Sequence, residues 1–209
     1  MIVVIDYGMG NLRSVSKALE SLGAKVCVSS DPRDLEQADK LILPGVGAFP
    51  AAMAELSSRG LIDSIKAAIG AGRPYLGICL GLQLLFDESE EGEEAEGFGL
   101  LEGRVRRFSP NGAGLKVPHM GWNQIRNPYA SAPNQGGCPL LKGIPDGSFV
   151  YFVHSYYPEP ADRSIVALET EYDGQFASMV WRENLFATQF HPEKSQAVGL
   201  KLLENFIAL

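Results

Sequence analysis

Long apolar runs, an export signal and abundant cysteine are all missing from this sequence of 209 residues. No run approaches the ~20 apolar residues that span a bilayer, and the N-terminal MIVVIDYG has neither the basic region nor the cleavage site of a signal peptide. The cysteines, Cys27, Cys79 and Cys138, are too few and too scattered for a disulfide framework or a zinc site. We therefore expect reduced thiols, a cytoplasmic location, no membrane segment and no metal or other cofactor.

Positive charge is scarce as well, with 18 basic residues against 25 acidic ones. Many of the acidic residues lie in one segment, DESEEGEEAE at 87–96, which contains no basic residue. A nucleic-acid surface needs clustered lysine and arginine, so we expect no nucleic-acid partner. A run of like charges is usually solvated, and the pattern predicts a solvated loop at 87–96.

The two halves of the chain differ in the rhythm of their apolar residues. Before residue 90, short continuous apolar runs alternate with helical spacing, which is typical of a parallel sheet covered by helices on both faces. In this half the pattern predicts strands at 2–5, 25–28, 40–44 and 74–78, with helices at 11–23 and in the region 48–70. From residue 101 it predicts strands at 102–108, 116–125, 148–157, 164–170, 175–181 and 185–190, a Gly/Pro-rich loop at 127–137 and a final helix at 195–209. We expect a single α/β domain over residues 1–209, with an open mixed, largely parallel central sheet flanked by helices.

The sequence YGMGN at 7–11 lies between the first predicted strand and helix, where a dinucleotide-binding fingerprint would stand. The third glycine of that fingerprint would coincide with Arg13, which is too bulky for close packing of the helix on the strand. We therefore exclude a Rossmann cofactor site. We expect instead a tight turn that exposes Gly10 and Asn11 at the carboxyl edge of the sheet.

Cys79 follows the predicted strand 74–78 and is flanked by Gly77 and Gly81 in the sequence PYLGICLGLQLLF. A strand, a nucleophile and a helix in close succession form a sharp turn that exposes the side chain above the sheet, and the glycines permit its crowded backbone. The N-terminus of the expected amphipathic helix would also favour a thiolate. The pattern predicts a nucleophile at Cys79, whereas Cys27 within KVCV is interpreted as a packing residue.

A cysteine nucleophile needs a base, and the chain has three histidines. His191 follows an apolar strand, and Glu193 stands two residues later, beyond Pro192, where its carboxylate can reach the imidazole and orient it. His119 and His154 have no such acid beside them and are predicted to be structural or surface residues. In α/β-hydrolases the acid precedes the histidine in the chain, so that family is disfavoured.

Cleavage of an acyl bond also needs donors for the developing oxyanion. The backbone N–H of Leu80, directly after the nucleophile, is one candidate. The segment LPGVGAF at 43–49 follows a neighbouring predicted strand, and Gly45 and Gly47 allow N–H groups to turn inward. Together these segments predict an oxyanion hole beside Cys79.

Four segments, PGVGAF, GICLGLQLLF, VPHMGWN and FHPEKS, occur in this order and resemble the class I (triad) glutamine amidotransferases over essentially the whole chain. The first and third are similar to the branch of this family that serves histidine biosynthesis. The resemblance implies a glutaminase that releases ammonia from glutamine through a cysteinyl thioester. It also implies a partner, a cyclase subunit with a (β/α)8 barrel, which receives the ammonia within a heterodimer.

The resemblance further implies a role for individual residues. Cys79 is the nucleophile, His191 the general base and acid, and Glu193 the residue that orients the imidazole. The oxyanion loop comprises Gly45, Val46 and Gly47, with Leu80 as the other donor. Positions that match the glutamine pocket are Gln83 and Glu91, and positions that match the docking face are Gly10, Asn11, Trp122, Tyr151 and Lys194. The loop at 127–137 is longer than the resemblance leads us to expect.

Two other functions stay open at this point. A stand-alone cysteine hydrolase or peptidase on the same fold would need no partner, but the stretch MGW at 120–122 and the turn at 10–11 are more typical of a docking face. A non-catalytic binding module would have no use for Cys79, His191 and Glu193 together.

Overall fold

The computed structural model describes residues 1–92, 95–109, 115–129 and 137–209. The β-strands in these ranges are β1 Ile2–Ile5, β2 Val26–Ser29, β3 Lys40–Gly45, β4 Tyr75–Cys79, β5 Phe86–Ser89, β6 Ala95–Glu96, β7 Leu101–Arg107, β8 His119–Gln124, β9 Phe149–His154, β10 Tyr156–Pro160, β11 Val166–Glu171, β12 Gln175–Arg182 and β13 Leu185–Thr188. The α-helices are α1 Leu12–Ser21, α2 Pro32–Gln37, α3 Phe49–Ser58, α4 Leu61–Gly70, α5 Leu80–Gln83 and α6 Gln196–Ala208. Short 3₁₀ helices cover Pro139–Leu141, Arg163–Ile165 and Pro192–Lys194.

The central sheet contains seven strands in the order β11-β12-β13-β4-β3-β1-β2. Neighbouring strands from β13 to β2 run parallel, and β12 and β11 extend the sheet in antiparallel pairing. A smaller sheet has the order β10-β7-β5-β6, and β8 pairs with β9. The predicted α/β fold with a mixed, largely parallel sheet is confirmed.

The alternation of side chains along the parallel strands divides the core into two layers, one on each face of the central sheet. Val3 and Ile5 of β1 pack with apolar residues of α2, α3 and α4, whereas Ile2 and Val4 pack with those of α1 and α6. β4 lies between β3 and β13 in the middle of this sheet. Neighbouring strands and packed helices therefore hold its carboxyl end, where Cys79 stands.

The helical region predicted at 48–70 is present and forms two helices, α3 and α4, separated at Gly60. One other helix was not predicted, and one prediction is wrong in extent. α2 has no counterpart among the predicted helices, because its six residues are too few to display helical spacing. The amphipathic helix expected after Cys79 is wrong in extent, since α5 has four residues and the chain soon enters β5. The dipole of a single helical turn is small, so the N-terminus of α5 gives little support to the expectation of a thiolate at Cys79. None of the helices in the described ranges is long and apolar enough to cross a membrane.

Two strand predictions also need correction. The strand predicted at 148–157 is divided at Ser155, because β9 pairs with β8 whereas β10 joins the smaller sheet. The solvated loop predicted at 87–96 is wrong for its first residues, which lie in β5 beside β7, and for its last two, which form β6. There, the carboxylates of Asp87 and Glu90 accept hydrogen bonds from backbone N–H groups of β7. Residues 93–94 of this segment, and 130–136 of the predicted loop at 127–137, lie outside the described residues.

Candidate active site

Cys79 occupies a sharp turn between β4 and α5, in a backbone conformation that is rare for a residue with a side chain (φ 57°, ψ −107°). The turn is crowded. A methyl group at Gly77 would lie 2.4 Å from the carbonyl oxygen of Gly81, and one at Gly81 would lie 2.0 Å from that of Leu43. Only glycine fits at these two positions. The two glycines allow the chain to turn sharply here, and Cys79 is the residue that adopts the strained backbone conformation.

The structure brings His191 and Glu193 into contact, with Nδ1 of the ring 2.9 Å from Oε1 of the carboxylate. Pro192 begins the 3₁₀ helix that turns the glutamate back toward the ring, and both side chains are buried. A carboxylate only accepts hydrogen bonds, so Nδ1 carries the hydrogen and Nε2 is left to act as a base. Nε2 is buried without a hydrogen-bond partner of ordinary geometry among the described residues.

The charge state of His191 depends on its two neighbours. Burial opposes a charged ring, but interaction with the neighbouring Cys79 and Glu193 side chains outweighs burial and raises the pKa of His191 to about 10. A ring with a raised pKa is a stronger proton acceptor, so His191 has the properties of a general base for a neighbouring thiol.

The backbone of His191 is anchored to β9. Its N–H donates to the carbonyl oxygen of Tyr151 over 3.0 Å. The Ser195 hydroxyl donates to the His191 carbonyl oxygen over 2.7 Å and accepts from the Tyr151 N–H over 3.0 Å. His191 is thus tied to a strand that also carries a predicted docking residue.

A cavity of about 350 Å³ opens above Cys79. Six predicted site residues line it, namely Val46, Gly47, Cys79, Leu80, Gln83 and Glu91. The other lining residues are not among the predicted site residues and are Pro118, Val153, His154, Ser155 and Tyr156. They lie just before β8 and around the junction of β9 and β10, and their sequence carries no spacing that points to a cysteine so far away in the chain.

The segment predicted as the oxyanion loop lies beside this cavity. Gly45 ends β3 next to Cys79, with which it is in register. A methyl group at Gly45 would lie 2.7 Å from Cβ of Leu80 and 2.9 Å from the hydroxyl of Tyr7. Val46 is 40% exposed and Gly47 has a φ of 99°. The loop and the Leu80 peptide therefore flank the nucleophile from two adjacent strand ends.

Gln83 and Glu91 also reach the cavity and are held by hydrogen bonds. The Gln83 amide nitrogen donates to the carbonyl oxygen of Tyr156 over 2.9 Å and to Oε1 of Gln189 over 3.1 Å. Glu91 accepts from the N–H of Phe49 over 2.8 Å, at the start of α3. Gln189 is not among the predicted site residues, although it stands only two positions before His191.

His119 and His154 are both buried, so of the two roles predicted for them the structural one holds and the surface one is wrong. His154 Nδ1 donates to the Tyr156 carbonyl oxygen over 2.8 Å, so its Nε2 accepts from His119 Nδ1 over 2.9 Å. The rings pack against Phe108 and Phe152. Burial disfavours their charged forms and lowers the pKa of His119 to about 4 and that of His154 to about 3.

Acid is expected to destabilise the fold through these two histidines. Because both pKa values lie below the ordinary 6.5, the unfolded chain binds more protons than the folded one once the pH falls below 6.5. The free energy of unfolding should then fall by roughly 1.4 kcal/mol per pH unit for each histidine until the folded-state pKa is reached. His191 has the opposite sign: its raised pKa contributes stability that is lost as the pH rises above 6.5 and is almost fully present below about pH 6, so it adds little slope there.

Urea titrations between pH 6 and pH 5 measure this effect. The carboxyl group of Glu159, whose pKa is lowered from 4.5 in the folded chain, affects stability mainly below this window. We expect His119→Gln to reduce the pH slope of the unfolding free energy by about half. An unchanged slope in that variant would contradict the assignment.

Three of the predicted docking residues, Trp122, Tyr151 and Lys194, lie together on the surface. Trp122 of β8 pairs with Tyr151 of β9, and the two rings lie 6.1 Å apart. Nζ of Lys194 lies 5.8 Å from the centre of the Tyr151 ring. The 3₁₀ helix that holds Lys194 contacts α1, which follows Gly10 and Asn11. Trp122 is 45% exposed, and its neighbour Met120 is 63% exposed.

Comparison with known proteins gives concordant results. A family model described as glutamine amidotransferase class-I matches residues 3–209. The imidazole glycerol phosphate synthase subunit HisH of Syntrophotalea carbinolica is 53% identical over 210 residues, covering 99% of this chain and 98% of the relative. The protein of the same name from Aquifex aeolicus is 52% identical, covering 98% and 94%.

Solved structures share the fold at lower identity. A glutamine amidotransferase superposes with a TM-score of 0.74 at 20% identity, with all of both chains covered. The structure of PurLQS from Thermotoga maritima superposes with a TM-score of 0.73 at 21% identity, covering 99% of this chain and 97% of the other.

Proposed function

Since the chain belongs to the class-I glutamine amidotransferase family, we propose that it is the glutaminase subunit of imidazole glycerol phosphate synthase in histidine biosynthesis. The observation that carries this proposal is the identity of about half of all residues, over nearly the whole chain, to proteins of that name. The enzyme hydrolyses glutamine to glutamate and ammonia.

The proposed reaction begins when Nε2 of His191 takes the proton of the Cys79 thiol. The thiolate attacks the side-chain carbonyl carbon of glutamine, and a carbon–sulfur bond forms. The imidazolium then donates its proton to the departing nitrogen, the carbon–nitrogen bond breaks, and ammonia leaves a γ-glutamyl thioester. The neutral ring next takes a proton from water, whose oxygen attacks the thioester and releases glutamate and the thiolate. Glu193 holds the ring in the required tautomer.

We further propose that the N–H of Leu80 and the loop Gly45–Gly47 bind the oxyanion of both tetrahedral intermediates. Their position at adjacent strand ends beside Cys79 supports this role. One oxyanion donor is typically worth ~3 kcal/mol, so a loop whose N–H points away leaves the enzyme nearly idle. Gln83 and Glu91 are proposed to bind glutamine in the cavity, with Glu91 also holding the start of α3.

A cyclase subunit is the proposed partner, in a heterodimer and with a (β/α)8 barrel. It receives the ammonia and makes imidazole glycerol phosphate and an aminoimidazole carboxamide ribotide. The exposed side chains of Met120 and Trp122 support a docking face there, which also includes Gly10, Asn11, Tyr151 and Lys194. A stand-alone hydrolase would gain nothing from this exposed apolar patch.

We propose that docking couples ammonia release to its use. The hydrogen bond between the His191 N–H and the Tyr151 carbonyl supports this coupling, because Tyr151 lies on the proposed docking face. The whole of residues 1–209 is proposed to act as a single glutamine amidotransferase domain, because β13 and β12 from the second half complete the sheet begun by the first. The cytoplasmic location stays a prediction.

Glutamine turnover with and without the partner tests the proposal. We expect slow hydrolysis by the chain alone and at least a tenfold higher rate in the presence of the cyclase subunit and its nucleotide ligand. Trp122→Ala should abolish the increase and leave the basal rate unchanged. Equal turnover with and without partner and ligand would contradict the coupling, and absence of glutamine hydrolysis in both would contradict the function.

A further inference from the structure

Gln189 lies directly after β13, two residues before the catalytic histidine, and its side chain is completely buried. Its backbone N–H donates to the carbonyl oxygen of Ser178 over 2.9 Å, which fixes the residue to β12. A buried carboxamide is costly unless its donors and acceptors are matched. The hydrogen-bond partners of the Gln189 side chain therefore show which donor and which acceptor this position requires.

The Gln189 amide joins the nucleophile to the glutamine pocket. Its Nε2 lies 3.6 Å from Sγ of Cys79, and its Oε1 accepts from Nε2 of Gln83 over 3.1 Å. The nitrogen and oxygen of a side-chain amide can be exchanged by a flip, so donor and acceptor must be assigned from a group that can only donate or only accept a hydrogen bond.

The carbonyl oxygen of Tyr156 is such a group, because it can only accept. It accepts from Nδ1 of His154 and from Gln83, so the nitrogen end of Gln83 must face it. The second N–H of that nitrogen then needs an acceptor, and Oε1 of Gln189 supplies it. The nitrogen end of Gln189 is consequently the end that faces the sulfur.

We propose that Gln189 is a further catalytic residue, which donates an N–H to the sulfur of Cys79 and fixes the Gln83 amide with its oxygen toward the cavity. The proposal rests on the proposed function, since it deepens the role of the same site. A hydrogen bond to an anionic acceptor is stronger than one to a neutral acceptor, so this N–H favours the thiolate over the thiol. The thiolate is the attacking group in the first step and the leaving group in the last.

The second consequence concerns substrate selection. Both N–H groups of Gln83 are used within the protein, so only its Oε1 is available to a molecule in the cavity. An oxygen acceptor selects substrate N–H donors, such as an ammonium or carboxamide group, and repels a carboxylate. Gln189 therefore contributes to the choice of glutamine over glutamate through the orientation of Gln83.

Alkylation of Cys79 measures the first effect without any glutamine. We expect Gln189→Met, which has a similar length but no donor, to slow the reaction of Cys79 with iodoacetamide at neutral pH by roughly 10- to 100-fold. The rate should recover as the pH rises, since the thiolate then forms without the donor. Mass spectrometry assigns the adduct to Cys79 and separates it from any adduct at Cys27 or Cys138. Ser178→Ala is the control and should not change the profile, because it removes a hydroxyl that has no hydrogen-bond partner among the described residues.

Steady-state kinetics of the complex with the cyclase subunit measure both effects. Gln189→Glu keeps an oxygen for Gln83 but places an anion beside the sulfur, so kcat should fall by 10- to 100-fold while KM stays within about threefold. Gln189→Met should lower kcat and also raise KM, because Gln83 loses its acceptor. Gln189→Glu retains the shape of the side chain and carries the test if the methionine variant does not fold.

The outcomes separate the two proposals. An alkylation profile and a kcat equal to those of the unaltered chain, in a folded Gln189→Glu variant, would overturn the role of Gln189. A parent complex that does not hydrolyse glutamine would overturn the proposed function, whereas the alkylation result does not depend on it.

Discussion

Replacement of Cys79 by alanine is expected to reduce glutamine hydrolysis by about 10⁴-fold or more. The reaction cannot proceed through a thioester without the sulfur, and the neighbouring oxyanion donors have no covalent intermediate to stabilise. The fold should persist, because the variant retains the backbone and loses one small side chain. An alanine at φ 57° inherits the backbone strain of the cysteine, so we expect little change in stability from that source.

A glutamine-mimicking electrophile provides the direct measurement. Mass spectrometry should find a single adduct on Cys79 of the parent chain and none on the alanine variant. Cys27→Ser is the matched control, because Cys27 lies on β2 at the edge of the central sheet, and it should keep full activity. An alanine variant with undiminished turnover would exclude the cysteine mechanism and favour a non-catalytic role for this residue.

Glu193→Gln is expected to reduce turnover by about 10³-fold, the second largest effect. The carboxylate is fully buried, and its Oε1 is the only partner of Nδ1 of His191 among the described residues. An uncharged amide no longer offsets the burial of the imidazolium, so the pKa of His191 should fall from its raised value of about 10. The amide nitrogen can also face Nδ1 and select the wrong tautomer.

The pH titration of the His191 ring by NMR measures the change in pKa, and steady-state kinetics measure the turnover. Glu204→Gln is the control, because this glutamate on α6 is exposed and pairs with Lys201 on the same helix. It should leave both quantities unchanged. Turnover of the Glu193→Gln variant within threefold of the parent would mean that the ring does not depend on the carboxylate.

The outline of the fold and the three residues of the proposed triad can be predicted from the sequence, because the patterns that mark them are local. The apolar runs of β1, β3 and β4 are nearly continuous, which is typical of strands buried on both faces. Cys79 is marked by two glycines within two residues on either side, and Glu193 by its two-residue distance from His191. In each of these cases the residues that form the pattern lie within a few positions of one another in the sequence.

Other features of the fold, in particular the pairing of two segments, cannot be predicted from local sequence patterns. The acidic run at 87–96 has the composition of a solvated loop, but β7 offers backbone donors that draw its first residues into a sheet. The run at 148–157 has the composition of one long strand, but its two halves pair with different partners and part at Ser155. Pairing between distant strands outweighs local propensity here.

The sequence by itself therefore determined the alternation of strands and helices, the crowded turn at Cys79 and the residue types of the proposed triad. The tertiary structure alone decided which carbonyl faces Gln83, which end of Gln189 meets the sulfur, and that His119 and His154 are buried, with His154 in the wall of the cavity. The physical reason is that the direction of a buried hydrogen bond depends on partners contributed by other strands, up to 110 positions away in the case of Gln189 and Cys79.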